Sequence, residues 1–134
     1  MNVREMFSKI DRLFESNNEI EISKVQGNQF SAILHSNYIE IPELTDCKLL
    51  MAVFQDAYYL LQQNGSEGVR YGKAIGARLG DEGLEVSTLD GHISYHVYGT
   101  KIGKAVLQRS YYVGAILVAA GVCEWISGGI RLVE

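Results

Sequence analysis

The residues best suited to acid–base chemistry lie between positions 85 and 96. Glu85, Ser94 and His96 supply the carboxylate, hydroxyl and imidazole groups that general-base and nucleophilic catalysis use. Asp90-Gly91 is typical of a type I′ turn, and a hairpin closed there places Glu85 opposite His96. In that register Glu85 orients His96 as a general base, with Ser94 or a water molecule nearby. The competing interpretation is a solvated sheet face with one cross-strand ion pair, which the lack of a nucleophile motif favours.

The histidines and cysteines do not predict a metal site. On a strand, His92 and His96 are about 13 Å apart, too far to share one zinc ion. Cys47 and Cys123 form neither a CxxC motif nor a disulfide framework. The glycines do not follow the spacing of a phosphate-binding loop. The sequence therefore predicts no metal, no other cofactor and no dedicated catalytic apparatus.

Tyrosines provide a second kind of candidate site. Tyr111 and Tyr112 begin a run of thirteen residues without a charge, which is too short to span a membrane. Amphipathic rings at such a position indicate the edge of a pocket or of an oligomer contact. We expect a bound ligand to contact these two tyrosines together with Tyr98, His92 and His96.

Basic side chains are concentrated between positions 65 and 110, where tyrosines are interleaved with them. Such a pattern can form a nucleic-acid surface in which tyrosines stack on bases. The whole chain nevertheless carries a net charge of −4 and contains no recognition motif, which argues against a nucleic-acid partner. The basic residues concerned are Arg70, Lys73, Arg78, Lys101, Lys104 and Arg109.

Glycines recur every fourth residue in the middle of the chain. This spacing predicts a helix over Glu67–Leu79 with a glycine stripe along one side. Small residues also occur in a predicted helix over Thr100–Gly121, at Gly114 and Ala115, so we expect the two helices to cross in close contact, within a subunit or across a dimer. The alternative is a glycine-floored groove in which a ligand lies against backbone. The stripe consists of Gly68, Gly72, Gly76 and Gly80.

One short motif occurs twice. Tyr71-Gly72-x-x-Ile75-Gly76 recurs 27 residues later as Tyr98-Gly99-x-x-Ile102-Gly103. The sequence alone leaves open whether this reflects a duplication or a coincidence in a glycine-rich chain.

Apolar periodicity predicts an α+β fold in a single domain over residues 1–134, with antiparallel hairpins packed against about four helices. In the second helix, Asp56 is expected on the solvent side. The predicted helices are Asn2–Asn17, Leu44–Gln63, Glu67–Leu79 and Thr100–Gly121. The predicted strands are Glu19–Ser23, Gln29–Ser36, Tyr38–Ile41, Leu84–Thr88, His92–Tyr98, Cys123–Ser127 and Ile130–Val133.

Composition limits the class of protein. The chain has 134 residues, of which 47% are hydrophobic, and this content excludes a disordered polymer. Its start lacks a signal-peptide pattern, so a cytoplasmic location without membrane contact is expected. Small-residue faces and tyrosines favour a non-catalytic binding domain that forms a homo-oligomer and contacts a partner protein or a small ligand. The alternative is a small-molecule-binding protein or modest acid–base enzyme whose pocket lies between the Glu85/His96 face and Tyr111-Tyr112.

Overall fold

A computed structural model describes residues 1–45 and 47–133. Within these residues four α-helices and seven strands form an α+β fold, which confirms the predicted fold class. The helices are α1 (Val3–Leu13), α2 (Met51–Asn64), α3 (Leu89–His96) and α4 (Ser110–Ala119). The strands are β1 (Glu19–Ser23), β2 (Gln29–Leu34), β3 (Tyr38–Glu40), β4 (Lys48–Leu50), β5 (Val69–Arg70), β6 (Cys123–Ile126) and β7 (Gly129–Leu132). No helix in the described part of the chain is long and apolar enough to cross a membrane.

The N-terminal part follows its sequence pattern closely. The side chain of Asn2 accepts a hydrogen bond from the Glu5 N–H (2.9 Å) and caps α1, which buries Met6 and Ile10. Strands β1 to β4 then form an antiparallel sheet in chain order. In this sheet Ile22 pairs with Phe30, and both side chains are buried.

The second predicted helix begins later than expected. Residues 48–50 form β4, in which Leu49 pairs with Ile39, and α2 starts only at Met51. Both of these side chains are buried, so the apolar periodicity at the start of the predicted helix belongs to a sheet. The fourth predicted helix is also shorter, because α4 begins at Ser110 and not at Thr100.

The C-terminal hairpin of β6 and β7 forms as predicted and is joined by a strand that was not predicted. β7 lies between β6 and β5 in a three-stranded antiparallel sheet. α4 packs against β6 and also against β1 of the other sheet. Its residues from Val113 to Leu117 are all buried, which places this helix inside the hydrophobic core.

The predicted glycine-striped helix is wrong. Residues 65–67 form one 3₁₀ turn, Val69–Arg70 is β5, and the chain then runs without regular structure to Thr88. The predicted stripe residues all have positive φ, with values of 73° for Gly68, 91° for Gly72, 77° for Gly76 and 99° for Gly80. A right-handed helix cannot hold such residues, so these glycines make turns and their predicted helix–helix contact does not exist.

The small residues of α4 contact a different neighbour from the one predicted. A Cβ at Gly114 would lie 3.1 Å from Cε1 of Tyr71. The Tyr71 ring therefore packs against α4 at this glycine, in the place where the predicted glycine-striped helix was expected. The adjacent Ala115 is buried.

The predicted hairpin around Asp90-Gly91 is also wrong, because Leu89–His96 is α3. The Thr88 hydroxyl accepts a hydrogen bond from the Gly91 N–H (3.1 Å) and caps the helix. A Cβ at Gly91 would lie 2.1 Å from the Glu85 carbonyl oxygen, so glycine is required by a close approach of backbone and not by a turn. The cross-strand pairing of Glu85 with His96 therefore does not occur.

The two copies of the repeated motif adopt the same turn. Ala77 N–H bonds the Ala74 carbonyl (3.3 Å) in the first copy, and Lys104 N–H bonds the Lys101 carbonyl (3.1 Å) in the second. All four motif glycines have positive φ. A β-bridge joins Arg78 to Ala105, the residues that follow the two turns at the same offset of 27.

Cys47 and Cys123 are free and buried. Burial raises the pKa of both thiols, and that of Cys123 reaches about 12.

Candidate functional site

Two adjoining cavities, of about 550 Å³ and 350 Å³, form a groove on one side of the molecule. Both are lined by Tyr71, Tyr111 and Gly128, and we call their union the Tyr71 groove. The larger cavity is also lined by Lys24, Val25, Gln26, Asn28, Ile126 and Ser127. The smaller is also lined by Arg70, Gly72, Lys73, Gly83, Glu85 and Thr88.

Backbone contacts on both sides hold Tyr71 at the centre of this groove. Its N–H donates to the carbonyl of Gly128 in the β6–β7 turn (2.9 Å), and its own carbonyl accepts from the Asp90 N–H (2.9 Å). Its ring meets that of Tyr111 edge to face, with centroids 4.8 Å apart. Burial raises the pKa of the Tyr71 phenol to about 12, so this side chain is neutral at physiological pH.

The charged side chains of the groove are mainly basic. Lys24, Arg70 and Lys73 line it together with one carboxylate, Glu85. Arg70 donates a hydrogen bond to the Ser127 carbonyl, which fixes this guanidinium beside the β6–β7 turn. The Lys24 ammonium lies 4.8 Å from the centroid of the Tyr112 ring.

A buried carboxylate positions the helix that carries Tyr111. Asp90 accepts hydrogen bonds from the N–H groups of Arg109 (2.7 Å) and Ser110 (2.8 Å) and from the Ser110 hydroxyl (2.6 Å). It therefore caps α4 from α3, since no side chain at the N-cap of α4 does so. Burial raises the pKa of Asp90 to about 6, although these hydrogen bonds oppose the rise.

The second motif tyrosine, Tyr98, lies in a different environment. Its hydroxyl donates to the Lys48 carbonyl (2.7 Å), and the Arg109 guanidinium lies 3.7 Å from its ring centroid. The same guanidinium donates to the Ser94 hydroxyl (3.4 Å). Tyr98 and Ser94 thus join a structural network and do not line the groove.

Two of the predicted histidines lie together on α3. His92 and His96 have ring centroids 4.2 Å apart, and His92 Nδ1 is 2.8 Å from a carboxylate oxygen of Asp56. The expectation that Asp56 faces solvent is wrong, because its side chain is only 15% exposed. No group of three or more His, Cys, Asp or Glu side chains in the described residues is arranged to hold a metal ion.

The structure separates the predicted site residues into two regions. Tyr111 and Glu85 reach the Tyr71 groove, whereas His92 and His96 are not among its lining residues. Tyr112 packs edge to face against Phe30, with centroids 5.0 Å apart. The carboxylate of Glu85 accepts a hydrogen bond from the Gly83 N–H (3.2 Å).

Tyr71, Lys24 and Asp56 were not predicted as site residues. The repeated motif contained Tyr71, but its spacing was interpreted as helical and so gave no reason to pair that ring with Tyr111. Lys24 follows directly after β1, and a basic residue next to a hairpin turn is too common to indicate a site.

No protein-family model, curated protein or solved structure matches this chain.

Proposed function

We propose that this chain is a non-catalytic binding domain that holds a small anionic ligand with a flat ring in the Tyr71 groove. The observation that carries the proposal is the exposed ring of Tyr111, which lies in a cavity bordered by basic side chains.

Tyr111 supports recognition of the ring. Its side chain is 43% exposed although it lines the groove, and the perpendicular Tyr71 ring supports it from one side. A fixed and accessible aromatic ring can bind a planar group by stacking or edge-to-face contact. The larger cavity, of about 550 Å³, lies within the range of about 300–1,000 Å³ that is usual for small-molecule sites.

The charge of the groove supports recognition of an anion. Lys24, Arg70 and Lys73 outnumber the single Glu85, although the chain as a whole is acidic. The neutral Tyr71 phenol adds no negative charge. A planar ring and an anionic group occur together in 5′-mononucleotides and in aromatic carboxylates.

Isothermal titration of the whole chain with 5′-mononucleotides and aromatic carboxylates tests the proposal. Tyr111→Ala should weaken binding of the ligand at least tenfold, because it removes the exposed ring. The matched control is Tyr59→Ala, since Tyr59 is 45% exposed and does not line the groove. Lys24→Gln should weaken anionic ligands more than their neutral analogues.

Two results would refute the groove proposal. One is that no member of either ligand class binds. The other is that binding is equally strong in the wild type, Tyr111→Ala and Tyr59→Ala proteins.

We also propose self-association through the two motif turns. Ile75 is 86% exposed and Ile102 is 59% exposed, so each turn presents a large apolar side chain that a second copy of the chain can cover. Sedimentation velocity should show a dimer or higher oligomer that dissociates on Ile75→Ser and Ile102→Ser substitution. A wild-type monomer at micromolar concentration would contradict this part of the proposal.

Nucleic-acid binding is a second candidate, favoured by the order of the C-terminal elements. The C-terminal elements follow the order of a winged helix–turn–helix domain, which is a fold-level analogy only. These elements are α2, β5, α3, α4 and the β6–β7 hairpin. In helix–turn–helix proteins the second helix enters the major groove. Here α4 is buried from Val113 to Leu117 and packs against β1, so this mode is blocked.

A strand of nucleic acid could still lie along the Tyr71 groove, with a base against Tyr111 and phosphates near the basic side chains. Oligonucleotide binding that is much tighter than mononucleotide binding and falls steeply with salt would favour this second candidate.

A further inference from the structure

Two histidines one helical turn apart form a cluster that the Tyr71 groove does not use. His92 and His96 occupy positions i and i+4 of α3 and therefore share one face of the helix. Their ring centroids are 4.2 Å apart, and the ring planes differ by 40°. The separation of about 13 Å expected for a strand, which had argued against a shared metal ion, does not apply.

Asp56 on α2 fixes the orientation and the tautomer of one ring. Its carboxylate oxygen lies 2.8 Å from His92 Nδ1. An ionised carboxylate can only accept a hydrogen bond, so Nδ1 carries the proton and the neutral ring has its free lone pair on Nε2. A carboxylate that holds the second nitrogen of a histidine is the usual outer-shell partner of a metal-binding imidazole.

We propose that His92 and His96 bind one divalent transition-metal ion, with Asp56 as the residue that positions His92. Two imidazole nitrogens, each about 2.0–2.1 Å from a tetrahedral metal ion, are about 3.3 Å from each other. The two ring centroids are 4.2 Å apart, close to that nitrogen separation, and the exposed His96 side chain makes the adjustment while Asp56 holds His92. Histidine pairs at this spacing on one helix face also supply two ligands in zinc enzymes.

The composition of the site indicates which ions it binds and how. Imidazole ligands suit Zn²⁺, Cu²⁺ and Ni²⁺, whereas Mg²⁺ and Ca²⁺ prefer oxygen ligands. Water molecules complete the coordination sphere, because the described residues contain no third protein ligand at this position. His96 is exposed, so an ion reaches the pair directly from solvent.

Titration of the whole chain with Zn²⁺ and Ni²⁺ tests the site. We expect one saturable site, and His96→Ala should weaken binding at least tenfold. Asp56→Asn should weaken it about 10–100-fold, the range for loss of an outer-shell partner. His35→Ala is the matched control and should bind as the wild type does, because His35 pairs with Glu40 and has no second histidine beside it.

A second readout does not depend on affinity. Paramagnetic Ni²⁺ should broaden the ring proton signals of His92 and His96 before those of His35. Equal broadening of all three histidines, absence of a saturable site, or unchanged binding by His96→Ala would each overturn the proposal. Mg²⁺ should leave the signals unchanged, and equal binding of Mg²⁺ would also contradict it. The groove and the metal site share no residue, so failure of one leaves the other standing.

Discussion

The two copies of the repeated motif have the same backbone conformation but place their tyrosines in different surroundings. In segment 71–78 and in segment 98–105, two glycines with positive φ lead into a turn with an exposed isoleucine at its tip. Tyr71 is buried beneath Tyr111 in a groove, whereas Tyr98 binds the Lys48 carbonyl and lies under a guanidinium. The glycines therefore determine the path of the chain, while the neighbours of each tyrosine determine what the ring can do.

Asp90 and Arg109 couple the two segments. Asp90 donates its N–H to the Tyr71 carbonyl, and its carboxylate accepts the N–H of Arg109. The side chain of Arg109 in turn lies over Tyr98. Asp90 thus connects the Tyr71 groove to the structural network around the second tyrosine.

The largest expected effect is a difference in stability between alanine substitutions at Gly72 and at Gly99, the first glycine of each copy. A Cβ at Gly72 would lie 2.7 Å from the Thr88 hydroxyl oxygen, whereas a Cβ at Gly99 would meet nothing within 4 Å. Both positions have positive φ, which costs an alanine about 1–2 kcal/mol. Gly72→Ala adds an overpacking cost and should lower the free energy of unfolding by about 3–4 kcal/mol, against about 1–2 kcal/mol for Gly99→Ala.

Urea denaturation of both variants measures this difference. Equal losses of stability would show that the two segments are packed alike and would contradict the comparison.

A smaller effect concerns the link between the segments. The pKa of Asp90 is raised from its ordinary value to about 6, so the folded chain binds a proton that the unfolded chain has already lost between about pH 4 and pH 6. The contribution of this group to stability is therefore present at low pH and is lost as the pH rises through 6, a change on the order of 3 kcal/mol. Asp90→Asn keeps two acceptor contacts and should remove this pH dependence.

Unfolding free energies at pH 4 and pH 7 test the link. The wild-type protein should lose stability over this interval relative to Asp90→Asn. Asp11→Asn, a substitution of an exposed carboxylate, is the control and should not flatten the profile. If the free energy of unfolding depends on pH in the same way in the wild type and in Asp90→Asn, the pKa of Asp90 is not raised in the folded protein.

The smallest effect distinguishes the two tyrosine hydroxyls. Tyr98→Phe removes the hydrogen bond to the Lys48 carbonyl and should cost about 1 kcal/mol. Tyr71→Phe removes the hydrogen bond between the Tyr71 hydroxyl and the Trp125 side chain, so we expect a loss of similar size. In a spectrophotometric titration of the wild type, one phenol that ionises only near pH 12 should disappear on Tyr71→Phe. Persistence of this phenol in the Tyr71→Phe protein would contradict its assignment to Tyr71.

Periodicity predicted the elements that bury one face against a continuous core. The stripe that includes Met6 and Ile10 gave α1, and the alternation at Ile20 and Ile22 gave β1 with its observed bounds. The same criterion failed between positions 65 and 109, because a glycine spacing of four fits both a helix face and successive turns. The φ values that decide between them depend on tertiary contacts such as that of Gly72 with Thr88.

The candidate sites were predictable only in part, for the same physical reason. Tyr111 was identified from its position at the start of an apolar run. The neighbours of Tyr71 and the pairing of Asp56 with His92 join residues 40 and 36 positions apart in the sequence, and no local pattern encodes such contacts. Asp90-Gly91 has the composition of a hairpin turn, yet the Thr88 cap and the carboxylate bonds to α4 make it the first turn of a helix.

The reactivity of the two buried thiols reports local opening of the fold. Alkylating reagents attack the thiolate, and neither Cys47 nor Cys123 presents an accessible thiolate while the core is closed. Each covalent modification therefore records an opening event, one beside the N-terminal sheet and the other at the C-terminal hairpin. The relative labelling rates of the two cysteines report whether these two regions open in one cooperative event or independently.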